Sequence, residues 1–320
     1  MTMFHRTSDI DLASQSLEAE MTAHRPQEEG AFDSGVHQIF EGQVLVGPNR
    51  VDWRLDLPEN RQYDGMATFV PGYSGIHGSS TRPQTALAAE GIATVTYSPA
   101  RINDDSWWES ATNPQGLHVR AMRAVQANVR DRLDIRRATP EATNFDHTKQ
   151  LLITHSMGGL AAAHFADEEP GSVDAILHLA ACGFGSPTLG NLILDVPKGA
   201  LLGVRHELLP SLLGGEIEPT IKNLRDMCNY FRRVQAIFEA HSCLREDVRP
   251  LTEKARAAGI FVAYQAYEFD ILVRPNPDVA DHVDHHEVMA RTGHLGPIRR
   301  GPAVAQRAAF IINNRTPQPV

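Results

Sequence analysis

A chain of 320 residues, 42% hydrophobic and 22% charged, can bury a full core and has the make-up of an ordinary globular protein. Its formal net charge of −9 argues against a nucleic-acid binder, which presents a basic surface. The three cysteines, Cys182, Cys228 and Cys243, are odd in number and include no CxxC pair, which argues against a disulfide framework and fits free thiols in a reducing compartment.

Residues 1–34 are polar and acidic without clear period, and they read as a loose arm. They lack the apolar stretch of a secretory signal, and no run along the chain is long and apolar enough to span a membrane; the expectation is a cytoplasmic protein. Alternating residues over 35–57, among them Phe40, Val51, Trp53, Leu55 and Leu57, flank Gly47-Pro48-Asn49-Arg50 and predict a β-hairpin. Met66–Val70 reads as a buried strand that runs into the glycine-rich loop Pro71-Gly72-Tyr73-Ser74-Gly75. A helix over 84–89 and a strand over 92–97 follow. Val119, Met122, Val125, Val129 and Leu133 fall on one helix face. Strands are predicted at 150–154 and 175–179, with a helix at 158–166 between them. From 183 to about 246 the β–α alternation stops, and Leu224, Cys228, Phe231 and Phe238 stand at helical spacing. A helix at 250–258, a strand at 260–266 and a last helix at 302–312 complete the pattern. Alternating strands and helices imply a mostly parallel central sheet covered on both faces, with ligands beyond the carboxyl ends of the strands.

The segment Leu151-Leu-Ile-Thr-His-Ser156-Met-Gly-Gly-Leu joins a strand to a helix through a serine and two glycines. This is the pattern of a nucleophile elbow: small neighbours let the helix fold back on the strand, and the first helical N–H groups flank the serine. A serine hydroxyl needs a base, and His294, between glycines in Thr292-Gly293-His294-Leu295-Gly296, is the candidate. A carboxylate should orient that imidazole; Asp270 leads, with Glu268 as the fallback. The backbone N–H groups of Met157 and Tyr73 are the candidate donors of an oxyanion hole.

The set THSMGG (154–159), PGYSG (71–75), EFDILV (268–273) and GHLGP (293–297) resembles the α/β-hydrolase-fold serine hydrolases, esterase- and lipase-like, over about 36–314. Two positions depart from the common pattern: Thr154 stands where the first glycine of G-x-S-x-G is usual, and Pro71 where many relatives have His. The resemblance implies a core made of residues 35–183 and 247–320, with a helical cap at 184–246 over the pocket. Trp107 and Trp108, near the same sheet edge, and Phe231, on the cap stripe, are then candidate substrate-binding residues, with core packing as the alternative for each. The expected activity is hydrolysis of a small-molecule carboxylic ester through Ser156, His294 and Asp270, with no cofactor. The same residues also suit a thioester, an amide or a C–C bond, and a non-catalytic binding protein on this scaffold is the remaining alternative. A homo-oligomer stays open.

Two weaker motifs carry less. Asp281-His282-Val283-Asp284-His285-His286 has zinc-type ligands, but neighbouring His285 and His286 point apart on a strand, and a polar connector is the better account. Gly183–Gly190 lacks the spacing and the lysine of a phosphate loop. No metal is expected.

Overall fold

The computed structural model describes residues 32–33, 37–58, 65–72, 81–98, 113–136, 149–185, 241–270, 273–290, 292–294, 296–299 and 301–314. In chain order the elements are β1 (Phe32–Asp33), β2 (His37–Val46), β3 (Asn49–Pro58), β4 (Gly65–Val70), α1 (Thr81–Ala89), β5 (Ile92–Tyr97), α2 (Pro114–Arg136), β6 (Lys149–His155), α3 (Gly158–Glu168), β7 (Ala175–Leu179), α4 (Arg249–Ala257), β8 (Phe261–Tyr267), β9 (His285–Met289), α5 (Gly296–Arg299) and α6 (Gly301–Asn314).

Among the described residues one sheet forms, in the order β1-β2-β3-β5-β4-β6-β7-β8-β9. The β1–β2, β2–β3 and β3–β5 pairs are antiparallel; from β5 through β9 every pair is parallel. The parallel strands β4, β5 and β7 are buried at every position, which their continuous apolar and β-branched sequences allow. Side chains alternate between two cores. Ala67, Phe69, Leu151, Ile153 and Leu177 pack with Leu87 of α1 and with Val304, Ala308 and Ile311 of α6. Met66, Val70, Leu152, Ile176 and Val262 pack with Met122 and Val125 of α2, Leu160 and Phe165 of α3, and Ala255 of α4. Helices therefore cover both faces, as the alternating pattern predicts. Among the described residues no helix is long and apolar enough to cross a membrane.

Three local features differ from expectation. The hairpin turn contracts to Gly47-Pro48, Gly47 taking φ 58°, and Asn49 and Arg50 already pair with Val46 and Leu45. Phe32 and Asp33, inside the predicted arm, pair with Ile39 and Gln38; the rest of the arm lies outside the described residues. His285 and His286 open β9 rather than a connector, aligned with Ala263 and Tyr264 of β8. Of the predicted cap, 184–246, only residues 184–185 and 241–246 are described. The chain's two passages there meet: the Val248 N–H donates to the Gly183 carbonyl at 3.0 Å.

Candidate active site

The sheet's carboxyl edge carries Ser156, Met157, Asp270 and His294 because each follows a parallel strand. β6 ends at His155, Ser156 and Met157 form the turn, and α3 starts at Gly158. Ser156 takes φ 54°, the left-handed region that costs a residue with a Cβ about 1–2 kcal/mol. Neighbouring backbone holds it there. The Ser156 N–H donates to Leu179 O (3.2 Å), and Ser156 O accepts from Gly159 N (3.1 Å) and Cys182 N (3.0 Å).

The glycines are required by contact. A Cβ on Gly158 would lie 2.4 Å from Val70 O and 2.8 Å from Pro71 O, and one on Gly159 would lie 2.5 Å from Ala181 Cβ. A Cβ on Gly72 would lie 2.9 Å from Ser156 Cβ and 2.8 Å from His155 O, so the loop after β4 leans directly on the serine. The tight packing thus falls on 72, 158 and 159, and position 154 tolerates a side chain. Thr154 is fully buried between β4 and β7, with its Oγ1 2.9 Å from His178 Nδ1. Burial lowers the His178 pKa to about 3 and keeps that ring neutral.

His294 and Asp270 meet. His294 Nδ1 lies 2.8 Å from Asp270 Oδ2, and Asp270 Oδ1 accepts from Val273 N at 2.8 Å. An ionised carboxylate only accepts, so Nδ1 carries the proton and Nε2 is left as the basic nitrogen. The loops bearing the pair are stitched together by Phe269 N–H to Thr292 O (2.9 Å) and Glu268 N–H to Met289 O (3.0 Å). Glu268 itself is exposed in the turn after β8 while Asp270 is buried, so Asp270 and not the fallback faces the histidine.

A residue that sequence reasoning missed ties this pair to the elbow. His155, next to Ser156 in the chain, donates from Nε2 to the His294 carbonyl at 2.8 Å, and the two ring centroids stand 4.8 Å apart. Burial first, and the neighbouring His294 charge second, lower the His155 pKa to about 3, so it is a neutral donor with its proton on Nε2. The second missed residue is Cys182, whose Sγ lies 3.9 Å from Ser156 Oγ. Its place just beyond the carboxyl end of β7 is the signal that could have found both it and the elbow's partner segment.

Met157, buried, precedes the first residue of α3, where helix geometry gives its N–H no intrahelical acceptor. Tyr73, Trp107, Trp108 and Phe231 lie outside the described residues. The acidic–histidine motif is spent on packing: His282 Nδ1 lies 2.8 Å from Glu253 Oε1, and Asp284 accepts from Arg256 Nε (3.0 Å) and Val262 N (2.9 Å). Among the described residues no group of three or more His, Cys, Asp or Glu side chains is placed to hold a metal ion.

No protein-family model matches the chain, and no curated protein sequence does. Solved structures match along most of its length. A serine hydrolase from the polyaromatic-hydrocarbon-degrading bacterium Cycloclasticus zankles is 13% identical with TM-score 0.60, over 88% of this chain and 100% of that one. The 2-hydroxy-6-oxo-6-phenylhexa-2,4-dienoate hydrolase from Rhodococcus sp. is 16% identical with TM-score 0.59, over 86% of this chain and 99% of that one. An enol-lactonase from Burkholderia xenovorans is 14% identical with TM-score 0.55, over 85% and 100%. Strand order, crossover helices and these likenesses agree, and the chain has the α/β-hydrolase fold.

Proposed function

We infer that this chain is a serine hydrolase that cleaves a carboxylic ester through an acyl-enzyme. The observations that support the reading are Ser156 held at φ 54° on a strand–helix turn, and a histidine whose Nδ1 is engaged by a buried carboxylate and whose carbonyl is bonded by His155, the residue before that serine. Ser156 Oγ attacks the acyl carbon as His294 Nε2 takes its proton. Asp270 holds the ring in the Nδ1–H tautomer and stabilises the imidazolium that forms. Negative charge develops on the substrate oxygen near the start of α3, where the Met157 N–H receives it, with the Tyr73 N–H as the proposed second donor. Collapse of the tetrahedral intermediate expels the alcohol, protonated by His294. Water, deprotonated by the same ring, then releases the acid. His155 is a positioning residue in this scheme, because it anchors the carbonyl of His294 rather than touching substrate.

The structural neighbours include an enol-lactonase, a proline iminopeptidase and an epoxide hydrolase, so the fold alone does not choose the scissile bond. The nucleophile narrows it. A serine that opened an epoxide would be left as an ether that water cannot readily cleave, whereas an acyl-serine is opened by the same base. A fluorophosphonate probe should label the folded wild type and not Ser156→Ala; an unlabelled wild type would sink the proposal. A panel of p-nitrophenyl esters of graded chain length, with thioesters and anilides alongside, then reads the leaving group, and turnover of esters above the others is expected. Asp270→Asn should cut kcat about 10³-fold or more, because an amide N–H at Oδ2 forces the proton onto Nε2.

A further inference from the structure

The elbow carries a thiol that this scheme does not use. Cys182 Sγ lies 3.9 Å from Ser156 Oγ, and the Cys182 N–H donates to the Ser156 carbonyl at 3.0 Å. Its thiol also hydrogen-bonds the thiol of Cys243, which sits on the segment that re-enters the body before Val248. Both cysteines are free, half-buried, and packed against the main core. Two thiols 61 positions apart are thereby hydrogen-bonded neighbours, and the first of them borders the nucleophile.

We propose that Cys182 and Cys243 are an oxidisable dithiol, and that their disulfide switches off Ser156. The oxidant is a hydroperoxide. Cys182 is the attacking thiol: the Cys243 hydrogen bond, followed by the charge of His294 and the Ser156 hydrogen bond, holds its pKa below the ordinary thiol value against the opposing effect of burial. The Cys182 thiolate attacks the O–O bond; an S–O bond forms, O–O breaks and one oxygen leaves as water or alcohol. Cys243 then attacks the sulfenic sulfur; S–S forms, S–O breaks and a second water leaves. Two electrons pass from the thiols to the peroxide. A disulfide bond of about 2.05 Å draws Cys182 toward Cys243, removes the S–H beside Ser156 Oγ, and pulls on the carbonyl that Cys182 anchors. A displacement on the order of 1 Å at a reacting atom is enough to cost on the order of 100-fold in rate. Transient disulfides of this kind are compatible with a reducing compartment.

The switch rests on the serine-hydrolase reading; the dithiol does not. Reduced full-length protein is treated with hydrogen peroxide, then split between peptide mass mapping and fluorophosphonate labelling. The expected result is a cross-linked peptide pair containing Cys182 and Cys243, a labelling rate at least tenfold lower, and recovery with dithiothreitol. Cys243→Ser should keep the basal labelling rate and lose the reversible inhibition; Cys228→Ser should behave as wild type. Absence of the 182–243 cross-link, a cross-link through Cys228 instead, or a cross-link with unchanged labelling overturns the proposal. Reversible inhibition that persists in Cys243→Ser does so too. If reduced wild type takes no label at all, the serine-hydrolase reading falls and the switch with it, while the peptide map still decides the dithiol.

Discussion

Acid should unfold this protein through two buried imidazoles. His155 and His178 are both held neutral by burial, with pKa values of about 3 in the folded state against about 6.5 unfolded. A folded pKa below the unfolded one means that the unfolded chain binds more protons between those limits. The stability from these rings is therefore complete above pH 6.5 and is lost as pH falls toward 3. At pH 5 each ring costs about 2 kcal/mol relative to pH 8, or about 4 kcal/mol for the pair. His164 acts in the opposite sense: its ion pair with Glu246 raises its pKa, so its contribution is present at pH 5 and lost as pH rises. The comparison that isolates one ring is His178→Asn, which keeps a partner for Thr154 Oγ1 but cannot titrate. Urea unfolding followed by tryptophan fluorescence at pH 8 and pH 5 should show that the variant loses about 2 kcal/mol less on acidification than wild type, whatever its absolute stability. Equal losses in the two proteins would refute the argument that His178 is buried uncharged.

Strain and contact at the elbow give two further tests. Ser156→Gly removes the Cβ penalty at φ 54°, whereas Ser156→Ala keeps it, so the glycine variant should be the more stable by about 1 kcal/mol in thermal or urea unfolding while both lack fluorophosphonate labelling. Gly158→Val pushes side-chain atoms into Val70 O and Pro71 O, and since neither carbonyl can retreat without leaving β4 or its loop, a loss of about 2–3 kcal/mol in unfolding free energy is expected.

Much of the fold was written in local pattern. Ile92–Tyr97 and Ala175–Leu179 are strands over the same residues that the β-branched and apolar runs indicate, because such strands are buried on both faces and their ends coincide with the ends of hydrophobicity. The elbow was legible for a different reason: two glycines after a serine have few uses other than close approach of a helix to a strand. What local pattern could not reveal was which partner a side chain finds across the fold. Thr154 looked like a departure until His178, one strand away, supplied its contact. Asp270 and Glu268, two positions apart, were separable only by the turn after β8, which buries the first and exposes the second. The roles of His155 and Cys182 are not legible in local pattern, because they lie in hydrogen bonds to His294 and Ser156, residues 139 and 26 positions away. Between β8 and β9 the crossover is a six-residue 3-10 segment, Pro277–His282, which no local pattern singled out as helical.

The hydrogen bond between Val248 and Gly183 has an evolutionary corollary. Because departure and return converge on one clasp, a stretch of chain can be lengthened, trimmed or replaced between them without changing the register of any strand in the sheet. On the hydrolase reading proposed above, such a scaffold can change what it accepts by a single graft while Ser156, Asp270 and His294, carried by the segments that follow β6, β8 and β9, stay where they are.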